Sequence, residues 1–84
     1  GKWELAYTKF LDSCGTNWVR NTEQFPYIMQ GKLRKYTPDF YLPGTDEYIE
    51  IKGYETEKDS LKWKQFPKTL VVLKEKELKA LGII

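Results

Sequence analysis

The sequence predicts an α/β domain of 84 residues, an α+β mixed sheet flanked by helices in the order α-β-β-β-α-β-α. Three observations carry this prediction. Trp3, Tyr7, Phe10 and Cys14 recur at spacings of 4, 3 and 4, with Ala6 and Leu11 widening the stripe, which is the period of an amphipathic helix. Apolar and aromatic runs then bracket two turn signals, Gln30-Gly31-Lys32 and Pro43-Gly44, as a three-stranded antiparallel meander requires. Last, a strand, a helix and the apolar run Thr69-Leu-Val-Val-Leu73 form a crossover unit. Such units are right-handed, and a continuous apolar strand is covered on both faces, so residues 69–73 should pair parallel to residues 48–53 as a fourth strand.

Taken in order, the first helix spans residues 2–14 and Gly15 stops it. Residues 16–24 are polar, with room for a short strand at Trp18-Val19-Arg20. A strand from Phe25 to Gln30 turns tightly into another from Leu33 to Leu42. Within the latter, Pro38 cannot donate a ladder hydrogen bond, so it belongs at a bulge or strand edge and leaves the ladder open beside Asp39. In the Pro43-Gly44 turn, proline suits the first central position and glycine the second, where φ is positive. The next strand begins near Tyr48. Residues 57–66 read as a helix closed by Pro67, although Leu61, Trp63 and Phe66 make no clean stripe. Lys74 to Leu81 form a last helix that stops at Gly82.

Size and composition exclude much. A chain this short buries roughly 60–65 % of its unfolded surface, enough for one core and one domain, residues 1–84. The absence of histidine excludes Ser-His-Asp hydrolases and His-ligated metals, and a single cysteine excludes both an internal disulfide and a zinc cluster. Any catalytic metal must therefore be held by oxygen, which points to Mg²⁺ or Mn²⁺. No apolar run approaches the ~20 residues of a membrane span, and a lone thiol suits a reducing, cytoplasmic compartment. A start at Gly-Lys-Trp rather than Met reads as a segment of a longer protein. The net charge of +2 lies wholly in the last thirty residues, where Lys58, Lys62, Lys64 and Lys68 cluster. Such lysines are ordinarily a solvated helix face; beside an acidic metal site they also suit phosphate.

The candidate site lies on the stretch from Arg34 to Tyr54. Side chains alternate faces along a strand, so Glu50 and Lys52 share one face, roughly 7 Å apart, and Ile49 and Ile51 take the other. If Phe40, Leu42, Ile49 and Ile51 face the core, Asp39, Glu50 and Lys52 converge on the opposite face. Two carboxylates and an ammonium on rigid strands can hold a divalent metal beside a phosphodiester. The carbonyl of Ile51 offers a third oxygen at the same strand end, and Lys52 would orient water or neutralise charge. Glu4, at the border of the first helix's apolar stripe, is positioned to reach the sheet, although a helix start also favours an acid for its dipole. The competing reading is a hairpin with cross-strand charge pairs, which stabilise by only ~0.2–1 kcal/mol.

Pro38-Asp39 followed by Glu50-Ile51-Lys52 resembles the PD-(D/E)xK motif of the restriction-endonuclease-like nucleases, and the predicted element order is similar to that superfamily's α-β-β-β-α-β core. The likeness runs through nearly the whole chain. Trp3-Glu4, Arg20-Asn21-Thr22, Phe25-Pro-Tyr27, Arg34-Lys-Tyr36, Pro38 to Leu42, Tyr48 to Tyr54 and Lys62-Trp63 resemble phage and intron-associated homing endonucleases. The resemblance implies a Mg²⁺-dependent DNA endonuclease domain, with Asp39 and Glu50 as metal ligands, Lys52 as catalytic lysine, and Glu4 completing the metal site directly or through water. Double-stranded DNA would be the substrate in a phage-infected bacterial cytoplasm, with Lys58, Lys62, Lys64 and Gln65 as candidate DNA contacts. Double-strand cleavage would need a homodimer or sequential nicking. Such enzymes usually carry separate recognition modules, and none is present in these residues. The alternatives are a structure-specific, junction-resolvase-like nuclease, or an inactive DNA-binding or structural domain on the same core. Trp18, Tyr41 and Tyr54 read as packing residues that also suit base stacking, and Cys14 as a small core residue.

Overall fold

The computed structural model describes residues 1–84. Its elements are α1 (Lys2–Ser13), β1 (Val19–Arg20), β2 (Phe25–Met29), β3 (Lys32–Tyr36), β4 (Phe40–Leu42), β5 (Glu47–Ile51), α2 (Glu57–Lys64), β6 (Leu70–Leu73) and α3 (Glu75–Ala80). The main sheet runs β1-β4-β5-β6, antiparallel except for the final β5–β6 pair, which is parallel with Ile49 opposite Val71 and Ile51 opposite Leu73. The crossover from β5 through α2 to β6 thus has the expected pairing. No helix is long and apolar enough to cross a membrane.

The meander differs from expectation. The run from Leu33 to Leu42 is not one strand; it breaks at Thr37–Asp39 into β3 and β4. β3 pairs only with β2, as a separate two-stranded sheet, and β1 takes the place beside β4. The physical cause is Pro38. It has no N–H to donate, so it cannot serve as a ladder donor within a continuous strand. Its carbonyl is taken by the side-chain amide of Asn21, 3.0 Å away, outside any ladder. The short β1, in turn, pairs Val19 with Tyr41 and Arg20 with Phe40.

The two turns use different chemistry. Gln30 and Gly31 both have positive φ, 52° and 74°, and form the two-residue loop between Met29 and Lys32 that suits the right-handed twist of a hairpin. In the loop from Pro43 to Asp46, the positive φ falls on Asp46, at 54°, and not on Gly44. Four residues rather than two separate the paired Leu42 and Glu47, so the left-handed step moves to the end of the loop. Aspartate tolerates that conformation, and the Tyr41 hydroxyl holds it with a 2.7 Å hydrogen bond to Asp46.

The sheet carries a layer on each face. Tyr7 and Leu11 of α1 and Leu78 of α3 pack with Phe40, Leu42, Ile49, Ile51 and Leu73 to form the apolar core. On the other face lie the β2–β3 hairpin and α2, joined through rings. Phe66 sits 4.6 Å from Phe25, 5.4 Å from Tyr48 and 5.9 Å from Tyr36, each near edge-on. Trp18 packs edge-on against Phe40 and Tyr41 packs against Tyr48, as expected of packing residues. Tyr54, by contrast, is 82 % exposed. Cys14 is not a core residue either: it caps the exposed end of α1, where its amide turns back to Phe10 and Leu11 carbonyls and its side chain leaves the buried stripe.

Phe40 is completely buried at the centre of this core. Phe40→Ala should cost about 3–5 kcal/mol in urea unfolding, whereas Leu33→Ala, at a side chain 69 % exposed, should stay within about 0.5 kcal/mol.

Candidate active site

The residues expected to converge are set by three local features. The first is the break at Pro38. The Asp39 amide donates to Ile49 of β5, while its carbonyl accepts from Asn21 on the β1 side. In a regular strand both groups of one residue point the same way, so the backbone swivels at Asp39. The carboxylate then acts as a ladder member: Oδ2 accepts the Ile51 amide at 2.7 Å, where a backbone carbonyl would otherwise stand. Asp39 is thereby locked beside the Ile51 backbone, and one oxygen stays unbonded.

The second feature is Glu50, which lies mid-strand in β5 on the face away from the core cluster and is only 7 % exposed. Its Oε1 accepts a 2.7 Å hydrogen bond from the Tyr36 hydroxyl at the base of the hairpin. Burial raises the Glu50 pKa to about 7; the nearby Asp39 charge adds to the rise, and the Tyr36 bond and the charges of Lys52 and Lys62 oppose it. Asp39 is raised for the same first reason, with Glu4 contributing, against the lowering effect of the Ile51 amide and of Arg20 and Lys52. Two neighbouring carboxylates are thus each held towards the protonated form, chiefly because burial strips water from the charge. Burial and the bond to Glu50 likewise push the Tyr36 hydroxyl well above its ordinary value. The indole N–H of Trp63 is buried there without a hydrogen-bond partner.

The third feature is the start of α2, whose capping sequence is Thr56-Glu-Lys-Asp59. The amide and hydroxyl of Thr56 donate to Asp59 Oδ2 at 2.9 and 3.0 Å. The other oxygen lies 3.2 Å from Lys52 Nζ and 3.4 Å from Lys62 Nζ. Burial would raise Asp59, but these donors hold its carboxyl down at about 2. Lys52 thus bridges Asp59 and the more distant Glu50, 3.9 Å away.

Asp39, Glu50 and Lys52 therefore share one electrostatic neighbourhood, with the Ile51 backbone alongside. Glu4 reaches its border: it is paired with Arg20 at 3.2 Å and acts on Asp39 through its charge. The candidate DNA-contacting residues divide. Lys58 and Lys64 are exposed on α2, whereas Lys62 is drawn to Asp59 and lies over the Tyr36 ring. The Gln65 amide is committed to the backbone of Ile28, accepting from its N–H and donating to its carbonyl at 2.7 and 2.8 Å. Four residues of the site, Tyr36, Asp59, Asn21 and Arg20, are not among the expected groups. Arg20, Asn21 and Tyr36 stand in segments that carry the family resemblance, which gave them no role; Asp59 had the Thr-x-x-Asp capping pattern, which announces a helix start and no partner.

The chemistry of the donors suits an oxygen-bound divalent cation. Asp39 and Glu50 each keep an oxygen free of short hydrogen bonds. No three acidic side chains are gathered as a preformed cage, so waters and backbone would have to complete the shell. Comparison with known proteins finds no matching family, curated protein or solved structure.

The sign of the pH dependence follows from Glu50. Its folded pKa lies above the ordinary 4.5, so its charged form opposes folding, and stability falls as pH rises from about 4.5 through about 7. The loss is on the order of 3 kcal/mol. Asp59 acts only below 3.8 and leaves this window clear. Urea unfolding in EDTA at pH 5 and pH 8 should show the loss in the parent protein, and Glu50→Gln should shrink it to what Asp39, raised in the same direction, contributes.

Proposed function

We propose that this chain is a Mg²⁺-dependent DNA endonuclease domain with a restriction-endonuclease-like core, the catalytic part of a phage-type homing endonuclease. The observation that carries the reading is the meeting of Asp39, Glu50 and Lys52 on one sheet face, with both carboxylates drawn out of water. Charge pairing alone gives no reason to bury Glu50, because desolvating a carboxylate can cost more than a 3.9 Å pair with Lys52 returns.

Asp39, Glu50 and the Ile51 carbonyl would hold the cation, with Glu4 at the periphery through water. When bound, the cation supplies a polarised phosphoryl oxygen and a more acidic water. The chain's own residues do the rest. The Tyr36 hydroxyl fixes one oxygen of Glu50 and leaves the other for the ligand. The Ile51 amide does the same for Asp39. Lys52, held by Asp59, presents a cation where negative charge develops on the scissile phosphate or orients the attacking water. Asp59 is a positioning residue in this scheme: its Oδ1, 3.2 Å from the ammonium, keeps it aimed. By analogy with the family, the products would be a 5′-phosphate and a 3′-hydroxyl, one strand per site.

The test is nicking of supercoiled plasmid with and without Mg²⁺. Lys52→Ala and Asp39→Asn should each lower the rate on the order of 10²–10⁴-fold. Equal rates in all three proteins would remove the assignment, and cutting confined to branched junctions would convert it to a resolvase. Asp59→Asn should lower the rate less than Lys52→Ala, and combining the two should cost no more than Lys52→Ala alone, because both act through one ammonium.

A further inference from the structure

The β2–β3 hairpin is the part of the molecule that this function leaves unexplained. Its segment from Phe25 to Thr37 contains Lys32, Arg34 and Lys35 and no acidic residue. All three cations are exposed, and none makes an ion pair within the chain. β3 has β2 as its only strand partner, so its outer edge is open. The hairpin is nevertheless anchored at two points. Gln65 grips the Ile28 backbone of β2, and Tyr36 at the base of β3 is bonded to Glu50.

The register decides which cations matter. Side chains alternate along β3, so Lys32, Arg34 and Tyr36 share one face while Leu33 and Lys35 share the other. Tyr36 ends at the candidate metal site. Arg34 and Lys32 therefore extend outward from that site on its own face, two and four residues away, towards the Gln30-Gly31 tip. A two-stranded ribbon is of a size that a duplex groove admits, and unpaired cations in a row beside an acidic site match a polyanion whose charge repeats along its length.

We propose that this hairpin is a backbone-gripping arm, on which Arg34 and Lys32 contact phosphates of double-stranded DNA flanking the one held at Glu50. The inference rests on the nuclease reading and adds a place where the duplex is held. Charged residues on an open strand also discourage edge-to-edge aggregation, and that role predicts no dependence on which face they occupy.

The test is fluorescence anisotropy with a labelled DNA duplex, in EDTA so that cleavage plays no part, across a salt series. Lys32→Gln combined with Arg34→Gln should weaken binding and lower the slope of log affinity against log salt by about 2, roughly one per lost phosphate contact. Lys35→Gln combined with Lys76→Gln removes the same charge elsewhere and should leave the slope nearly unchanged. Equal effects of the two pairs, or no effect of the first, overturn the arm while leaving the nuclease reading intact. Absence of salt-dependent duplex binding by the parent protein overturns both. Binding with the expected face dependence but no Mg²⁺-dependent nicking supports the arm and sinks the nuclease.

Discussion

The structure turns on β5. This strand is hydrogen-bonded to β4 on one side and β6 on the other, and both of its faces are covered. Ile49 and Ile51 face the helical layer, where Phe40, Leu73 and Leu78 enclose them; Tyr48 and Glu50 face the hairpin and α2. A strand so enclosed needs apolar residues on both faces, yet one position is a carboxylate. The environment responds rather than the residue. Tyr36 is bonded to Glu50, Lys52 and Lys62 bring positive charge near it, and the proton affinity of Glu50 rises. The second face of the sheet is assembled around an acid that the fold cannot solvate.

That constraint also accounts for the broken meander. Were residues 33–42 one strand, β3 would continue in the plane of the main sheet and Tyr36 would be carried away from β5. The break at Pro38 lets the chain leave the sheet, so the hairpin folds over the face that carries Glu50, and Tyr36 comes down onto it. The same break frees the Asp39 side chain to replace a backbone acceptor for Ile51, so the ladder loses little. Asn21 donates its side-chain amide to the Pro38 carbonyl at the break, and its exchange of hydrogen bonds with the Glu23 backbone holds it there. One residue without an N–H therefore separates the layers, aims Asp39 and delivers Tyr36.

Much of this was legible in the residues, and the part that was not has a common cause. Periodicity located α1, the β2–β3 turn and the parallel β5–β6 pair because each follows from local pattern or from chain handedness. The alternation of Ile49 and Ile51 against Glu50 and Lys52 placed the site residues on the correct face. Pro38 was recognised as a break, but a proline states only that a ladder bond is missing; it does not say which neighbour the freed chain will find. Tyr36, Asp59 and Asn21 join the site across 14, 7 and 18 residues, to Glu50, Lys52 and Asp39 respectively, by contacts that no local spacing encodes. Asp46 took the strained position expected of Gly44 because loop length depends on the register of two strands, and register is tertiary. Cys14 fell outside the core for a similar reason: the α1 stripe predicts a face, whereas the length of the sheet beneath it decides how far burial extends.

The balance of charge on the site face bears on what it binds. Asp39, Glu50 and Asp59 are faced by Lys52 and Lys62, and Arg20 is taken up by Glu4, so with every group ionised the cluster is short by one positive charge. Asp59 has no share in the shortfall, since its own donors hold it ionised at any ordinary pH. Asp39 and Glu50 bind protons more tightly chiefly because they are buried, with the charge of Glu4 adding to the rise at Asp39 and that of Asp39 to the rise at Glu50. A proton and a divalent cation would, on the nuclease reading, be alternative occupants of the same oxygens. On the nuclease reading, the burial that destabilises Glu50 in the empty protein strengthens its attraction for a cation. Tyr36 sets the orientation, because an oxygen already hydrogen-bonded cannot swing to follow the ligand. On the same reading, two fixed carboxylates would leave the rest of the shell to water, which suits Mg²⁺, since it gives up its waters reluctantly.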